Sequence, residues 1–218
     1  MHKQFLVIGA GRFGSSIASN LYELGHEVMI IDKDENLIQQ ISGVVTDAAK
    51  ADASSEECLK ALDIKDFHAV VIAIGEDIQS SIMTAILLIE LEAKYIVAKA
   101  QSEIHGKVLK KLGVNQVVFP EREMGHKLAH SLIHPSIIEL IELSEDYSMV
   151  EVTAPEEMIG KTLKELNLRA SHGISVVALR RNDGVNTRIS PRAEDSIEVN
   201  DIIVAIGENK HLKKLNWI

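Results

Sequence analysis

The stretch "VIGAGRFGSSI" at residues 7–17 is G-x-G-x-x-G, set directly after an apolar run and directly before a helix-like one. Gly9 permits a tight turn, Gly11 lets backbone approach a pyrophosphate, and Gly14 lets the new helix pack closely on the strand it leaves. The helix then starts where unpaired N–H groups and the positive end of its dipole favour phosphate. Asp32 closes the next apolar run, 21 residues beyond Gly11. A carboxylate there bonds ribose hydroxyls and repels a 2′-phosphate. The loop therefore predicts a dinucleotide-type phosphate site at the first strand–helix crossing of an α/β sheet. Arg12 is the odd residue, because dehydrogenases keep this loop small or apolar. A guanidinium offers five donors matched to phosphate oxygens, on its own ligand or on one held by a neighbouring subunit.

The first half of the chain repeats this alternation. Apolar runs occur at residues 4–9, 27–32, 68–75, 95–100 and 116–119, with a weaker one at 43–46. Helix-like stretches lie near 14–24, 34–41, 55–62, 78–92 and 103–112. Continuous apolar strands are buried on both faces, so these six predict a Rossmann-like, doubly wound parallel sheet with helices above and below. "QSSIMTAILLIELE" is apolar nearly all round, which places it between other elements or at a subunit interface. A longer helix is expected from about Arg122 to Leu143, kinked or restarted at Pro135.

After "LSEDYS" the grammar changes. Strands are expected at 149–154, 173–180, 186–190 and 201–207, with helices at "KTLKELN" and "NKHLKKLN". This reads as a small α+β domain. The expected division is 1–134 for the nucleotide-binding domain and 135–218 for a linker helix with the small domain.

A formal charge of −9 disfavours nucleic acid as a partner. The single cysteine, Cys58, excludes an internal disulfide and fits a reducing cytoplasm. "MHKQFLVIG" shows no signal cleavage site, and the richest apolar stretch is broken by Glu90, Glu92 and Lys94. Action at a membrane would run through a partner.

Other candidates lie where strands end. Asp52 in "ADAS" accepts from an adenine amino group, or the segment is an ordinary helix start around Ser54 or Ser55 with Glu57. Lys99 and Glu121 face the same rim, for phosphate or metal contact or as solvated surface. His126, His130 and His134 share a helix face and read as an exposed or interface stripe, the alternative being a metal-binding pair. No acid/base set, nucleophile elbow or Walker loop accompanies the glycines. An NAD-dependent oxidoreductase and a free-standing nucleotide-binding interaction protein remain the alternatives.

"FLVIGAGRFGSSIA", Asp32, "ADAS", "VVIAIGEDIQSSI", "VAKAQ", His105 and "FPEREMG" together resemble the RCK (KTN/TrkA) regulators of potassium channels and transporters, most closely the cytosolic Ktr-type subunits. The resemblance covers the whole chain and implies a non-enzymatic regulator. It implies dimers that form an octameric ring beneath an integral-membrane potassium-translocating subunit, at the inner face of the cell membrane. It implies that ATP favours the active ring and ADP the inactive one, with NAD or NADH also able to bind. Carried over, the nucleotide contacts are Gly9, Gly11, Arg12, Gly14, Asp32, Lys33, Asp34, Asp52, Ala53, Ile74, Gly75, Glu76, Lys99, Ala100, Gln101 and His105. The resemblance puts Arg12 near the γ-phosphate in the partner subunit, and a cation such as Mg or Ca at Glu121. Ala51 stands where the family often has glycine. The small domain resembles one that binds cyclic di-AMP, here through Arg169, Gly173, Ile174, Ser175, Val176 and Pro191.

Overall fold

The structure is a computed structural model that describes residues 2–133, 136–182 and 186–218, and the side chain of His130 is not described. Contacts divide the chain into two units, Met1–Arg122 and Glu123–Ile218.

The first unit alternates β1 (Gln4–Ile8), α1 (Arg12–Glu23), β2 (Glu27–Asp32), α2 (Glu35–Ile41), β3 (Asp47–Lys50), α3 (Glu56–Lys60), β4 (Ala69–Ile72), α4 (Ile78–Glu90), β5 (Ile96–Lys99), α5 (Glu103–Leu112) and β6 (Gln116–Val118). α6 (Pro120–Ile133) begins in this unit and crosses into the second. The strands form one parallel sheet in the order β3-β2-β1-β4-β5-β6. Adjacent side chains on a strand point to opposite faces. Leu6 and Ile8 accordingly join one buried cluster with Leu59, Leu88 and Leu109, while Val7 joins another with Ala18, Ile30 and Ile38. Burial on both faces is what made these strands read as unbroken apolar runs. Because every strand runs the same way, all six carboxyl ends open on one edge. The chain leaves β1 for β2 on one side and returns to β4 on the other, so the crevice of that edge lies over the end of β1.

Two local expectations are corrected. The third strand is Asp47–Lys50, and Ser42–Val44 forms a 3₁₀ turn instead. Val45 joins the buried cluster of Val7, Ala18, Ile30 and Ile38, and Thr46 Oγ1 accepts from Val28 N at 2.9 Å, so the paired strand starts at Asp47, four residues later than hydropathy indicated. The expected helix up to Leu143 also stops early. β7 (Ile137–Glu142) pairs antiparallel with β8 (Tyr147–Thr153). Three β-branched residues, Ile137, Ile138 and Ile141, favour that pairing over a helix. Pro135 lies outside the described residues.

The second unit continues with α7 (Leu163–Leu166), α8 (Leu168–His172), β9 (Ser175–Arg180), β10 (Thr187–Ile189), β11 (Ile202–Glu208) and α9 (Asn209–Lys214). Its sheet is antiparallel in the order β10-β9-β11-β8-β7. Val150, Val152, Leu179 and Ile203 build its core with Leu212 and Trp217 from the last turn. Asp201 is 1% exposed; it accepts from Arg181 Nη1 at 2.5 Å and from Glu198 N at 2.8 Å, so its burial is compensated. The architecture is thus a doubly wound parallel α/β unit followed by a small α+β unit. No described helix is long and apolar enough to cross a membrane.

Candidate functional site

The three glycines of the loop do different work. Gly9 has φ +105°, and a Cβ there would lie 3.0 Å from the carbonyl carbon of Ala73. At Gly14 a Cβ would fall 1.8 Å from the oxygen of Gly9, so strand and helix could not approach as they do. Gly11 is extended, with φ −66° and ψ −179°, and its Cβ direction meets nothing within 4 Å. The fold needs the first and third glycines; the second faces open space.

The loop is braced from below. Asp32 accepts from Ala10 N at 2.7 Å through Oδ2 and from Asp34 N at 2.8 Å through Oδ1. Ser15 Oγ donates to Ala10 O at 2.7 Å. Above the brace, α1 starts at Gly11 with no side chain capping it and no acid in its first turn. In contrast, α2, α4 and α5 are capped by Asp34, Asp77 and Ser102. The first-turn N–H groups of α1 are thus left for an anion. Arg12 is the first residue of this helix; it is exposed and, among the described residues, has no ionic or hydrogen-bonded partner.

The other first-unit candidates follow the ends of the remaining strands on the same edge. Lys33, after β2, lies 4.0 Å from Asp77, after β4, and so reaches across the end of β1. Asp52 Oδ1 accepts from Ser54 N at 2.9 Å and Ser54 Oγ at 2.6 Å. Those bonds hold its carboxyl below the usual range, with nearby Lys33 adding to the effect and Asp77 opposing it. α3 is capped at Ser55 without a side-chain bond, so Asp52 organises this turn in place of a serine cap. Asp77 is a member of the cluster that the sequence reading missed. Its signal was an aspartate three residues before Ser80, whose N–H and hydroxyl it accepts at 2.9 and 2.6 Å. Ile74, Gly75 and Glu76 connect β4 to that cap, while Ala53 and Ala100 are buried and can offer only backbone.

Lys99, mostly buried, ends β5, and Glu121 is the second residue of α6; the two form an ion pair. That contact holds the Glu121 carboxyl below its ordinary value. Gln101 N donates to His105 Nδ1 at 3.4 Å. His105 is 3% exposed, its Nε2 has no partner among the described residues, and burial pushes its pKa below the ordinary 6.5. As pH falls through 6.5, the unfolded chain takes up this proton before the folded chain does, so folding stability drops on the acid side. His105→Gln should therefore lose less melting temperature than the parent between about pH 7.5 and pH 5.5. Parallel curves in calorimetry would contradict this.

In the second unit, Arg169 is exposed on α8 and Gly173 ends it at φ +68°, against the His211 ring. Ser175 and Val176 open β9 half-buried, and Pro191 is half-buried after β10. Ile174 is 0% exposed and belongs to the core. His126 is exposed, and His134 lies outside the described residues. Among the described residues no three metal-binding side chains converge.

The TrkA-N domain model matches residues 5–120 and the TrkA-C domain model residues 147–216. The chain is 42% identical over 207 residues to the Ktr system potassium uptake protein C of Bacillus subtilis (strain 168), covering 95% of this chain and 93% of that protein. It is 39% identical over 213 residues to the Ktr system potassium uptake protein A of the same organism, covering 98% and 95%. Among solved structures, the GsuK RCK domain aligns with a TM-score of 0.55 at 25% identity, over 98% of this chain and 46% of that one. The GsuK channel bound to NAD shares the fold, with a TM-score of 0.68 at 15% identity over the whole of this chain and 39% of that chain. This chain therefore spans less than half the length of either solved relative. With both domain models matched in order and two Ktr proteins aligned nearly end to end, the chain belongs to the RCK (KTN/TrkA) family, as a Ktr-type protein.

Proposed function

We propose that the chain is a nucleotide-sensing regulatory subunit that gates a membrane potassium-translocating partner, reading ATP against ADP where two copies meet. The observation that carries this is the contrast at the loop: a braced, uncapped helix start beside an exposed arginine that has no partner among the described residues of its own chain. The names of its potassium-uptake relatives supply the transport context.

In this reading the phosphates lie over Gly9, Gly11 and Gly14, the ribose hydroxyls donate to Asp32, and the adenine amino group donates to Asp52. Lys33, Asp34, Ala53, Ile74, Gly75, Glu76, Ala100, Gln101 and His105 shape the walls. NAD or NADH would use the same cradle. Arg12 reaches the γ-phosphate of the nucleotide on the partner copy, and Glu121 supplies an oxygen to a Mg or Ca ion beside it. Such a ligand shifts a ring only by its differential affinity for the two states. One charge-assisted contact of about 1.5–3 kcal/mol present with ATP and absent with ADP gives roughly a 10- to 150-fold bias per site. Dimers assembled into a ring, eight copies by family resemblance, would multiply that bias. The chain would then sit on the cytoplasmic face of the membrane through its partner, with cyclic di-AMP as a second ligand at Arg169, Gly173, Ser175, Val176 and Pro191, and Ile174 supporting them from the core.

The test is potassium flux through proteoliposomes that hold the membrane subunit together with this chain. Flux should be severalfold higher with ATP than with ADP and should need no nucleotide turnover. Equal flux with both nucleotides would overturn the reading, as would steady reduction of NAD by a small hydroxy acid.

A further inference from the structure

Lys99 stands between two helices. On one side its Nζ lies 5.9 Å from the centroid of the Phe13 ring, the second residue of α1 and the neighbour of Arg12. On the other it pairs with Glu121 in the first turn of α6, the helix by which the chain passes from the first unit to the second. The lysine side chain is 12% exposed and the glutamate 70%. No other ion pair of either residue is found among the described residues.

This asymmetry sets which partner can be given up. An exposed carboxylate released from the pair is rehydrated at little cost, whereas a mostly buried ammonium needs a new anion at once. Phosphate at the start of α1 is such an anion, and it carries more charge than one carboxylate. The only flexible part required is the four-carbon lysine stem, with its three rotatable donors.

We propose that Lys99 is a relay that exchanges partners, holding Glu121 when the loop is empty and turning to a phosphate when nucleotide arrives, so that the first turn of α6 is released. The relay rests on the reading that phosphate binds at the glycine loop. Phosphate occupancy is thereby converted into freedom at the start of the inter-unit helix. It also leaves Glu121 available to a cation only after the nucleotide is in place. By linkage, holding Glu121 must weaken nucleotide binding by the same factor that nucleotide weakens the pair.

ADP binding to the full chain in metal-free, EDTA-containing buffer tests this. Glu121→Gln removes the competitor and should tighten ADP about two- to fivefold, the range for a pair with one exposed partner. Lys99→Met should weaken ADP. Hydrogen exchange at the amides of residues 124–127, which bond into the first turn of α6, should quicken severalfold when ADP binds the parent. In both variants it should be fast with and without ADP. A glutamate that merely packs α6 would speed exchange in Glu121→Gln without tightening ADP. Binding of ADP with unchanged exchange in the parent, or no tightening in Glu121→Gln, overturns the relay. A parent chain that binds no ADP overturns instead the reading on which the relay rests.

Discussion

Gly11→Asp is expected to lower nucleotide affinity by more than about a hundredfold while leaving the melting temperature equal to the parent's or above it. The position has an ordinary φ of −66° and open space along the Cβ direction, so the fold accepts a side chain there. Aspartate is moreover among the best N-cap residues, and α1 has no side-chain cap of its own. The same carboxylate would stand where phosphate must come, and two like charges about 4 Å apart near a protein surface repel by roughly 4 kcal/mol. Gly14→Ala should do the reverse. Its methyl carbon would fall 1.8 Å from the Gly9 oxygen, so α1 must move off β1. A destabilisation of about 1–3 kcal/mol or more follows from such overpacking, seen as a melting temperature several degrees lower. Calorimetry and nucleotide titration of the two variants check the pair of results. If both variants lose stability alike, Gly11 serves packing and the open cradle is misread.

Arg12→Ala is expected still to bind both nucleotides, ATP more weakly than the parent does, and to remove the difference between them. The side chain makes no bond to its own chain among the described residues, so its loss leaves the loop, the Asp32 brace and the start of α1 intact. The effect appears only when a second copy is present, because the contact is made across the interface. ATP affinity should fall by roughly 10- to 150-fold toward that of ADP, with ADP affinity nearly unchanged. Arg12→Lys should restore part of the difference, since an ammonium supplies charge without the two-pronged geometry. An alanine variant that still separates the two nucleotides as the parent does removes the sensor role.

The parallel unit could be read from the chain because burial on both faces leaves its strands without a polar register, and each glycine, aspartate or lysine at a run's end then marks the functional edge. β3 was misplaced because its "DAAK" is an edge strand of small and charged residues, whereas the more apolar Val44–Val45 lies in a turn. In the sequence, residues 137–142 read as the continuation of the helix that begins near Arg122, restarted after Pro135. Their β-branched isoleucines and the antiparallel partner at 147–153 decide otherwise. At the site, Gly9, Gly11, Gly14 and Asp32 announce themselves through motif and spacing. Asp77 does not, because capping α4 explains it fully until Lys33 is seen reaching it from the other side of β1. The Lys99–Glu121 pair, 22 residues apart, likewise becomes a pair only once β5 and β6 lie side by side.

The central claim is that the γ-phosphate, read by Arg12 from the neighbouring copy, sets the shape of the assembly. Small-angle X-ray scattering of the purified chain saturated with ATP and then with ADP tests it most directly. The parent should give two distinct profiles at equal occupancy, and Arg12→Ala a single profile with either ligand. Identical profiles for the parent with ATP and ADP would contradict the account, as would two distinct profiles that survive in Arg12→Ala.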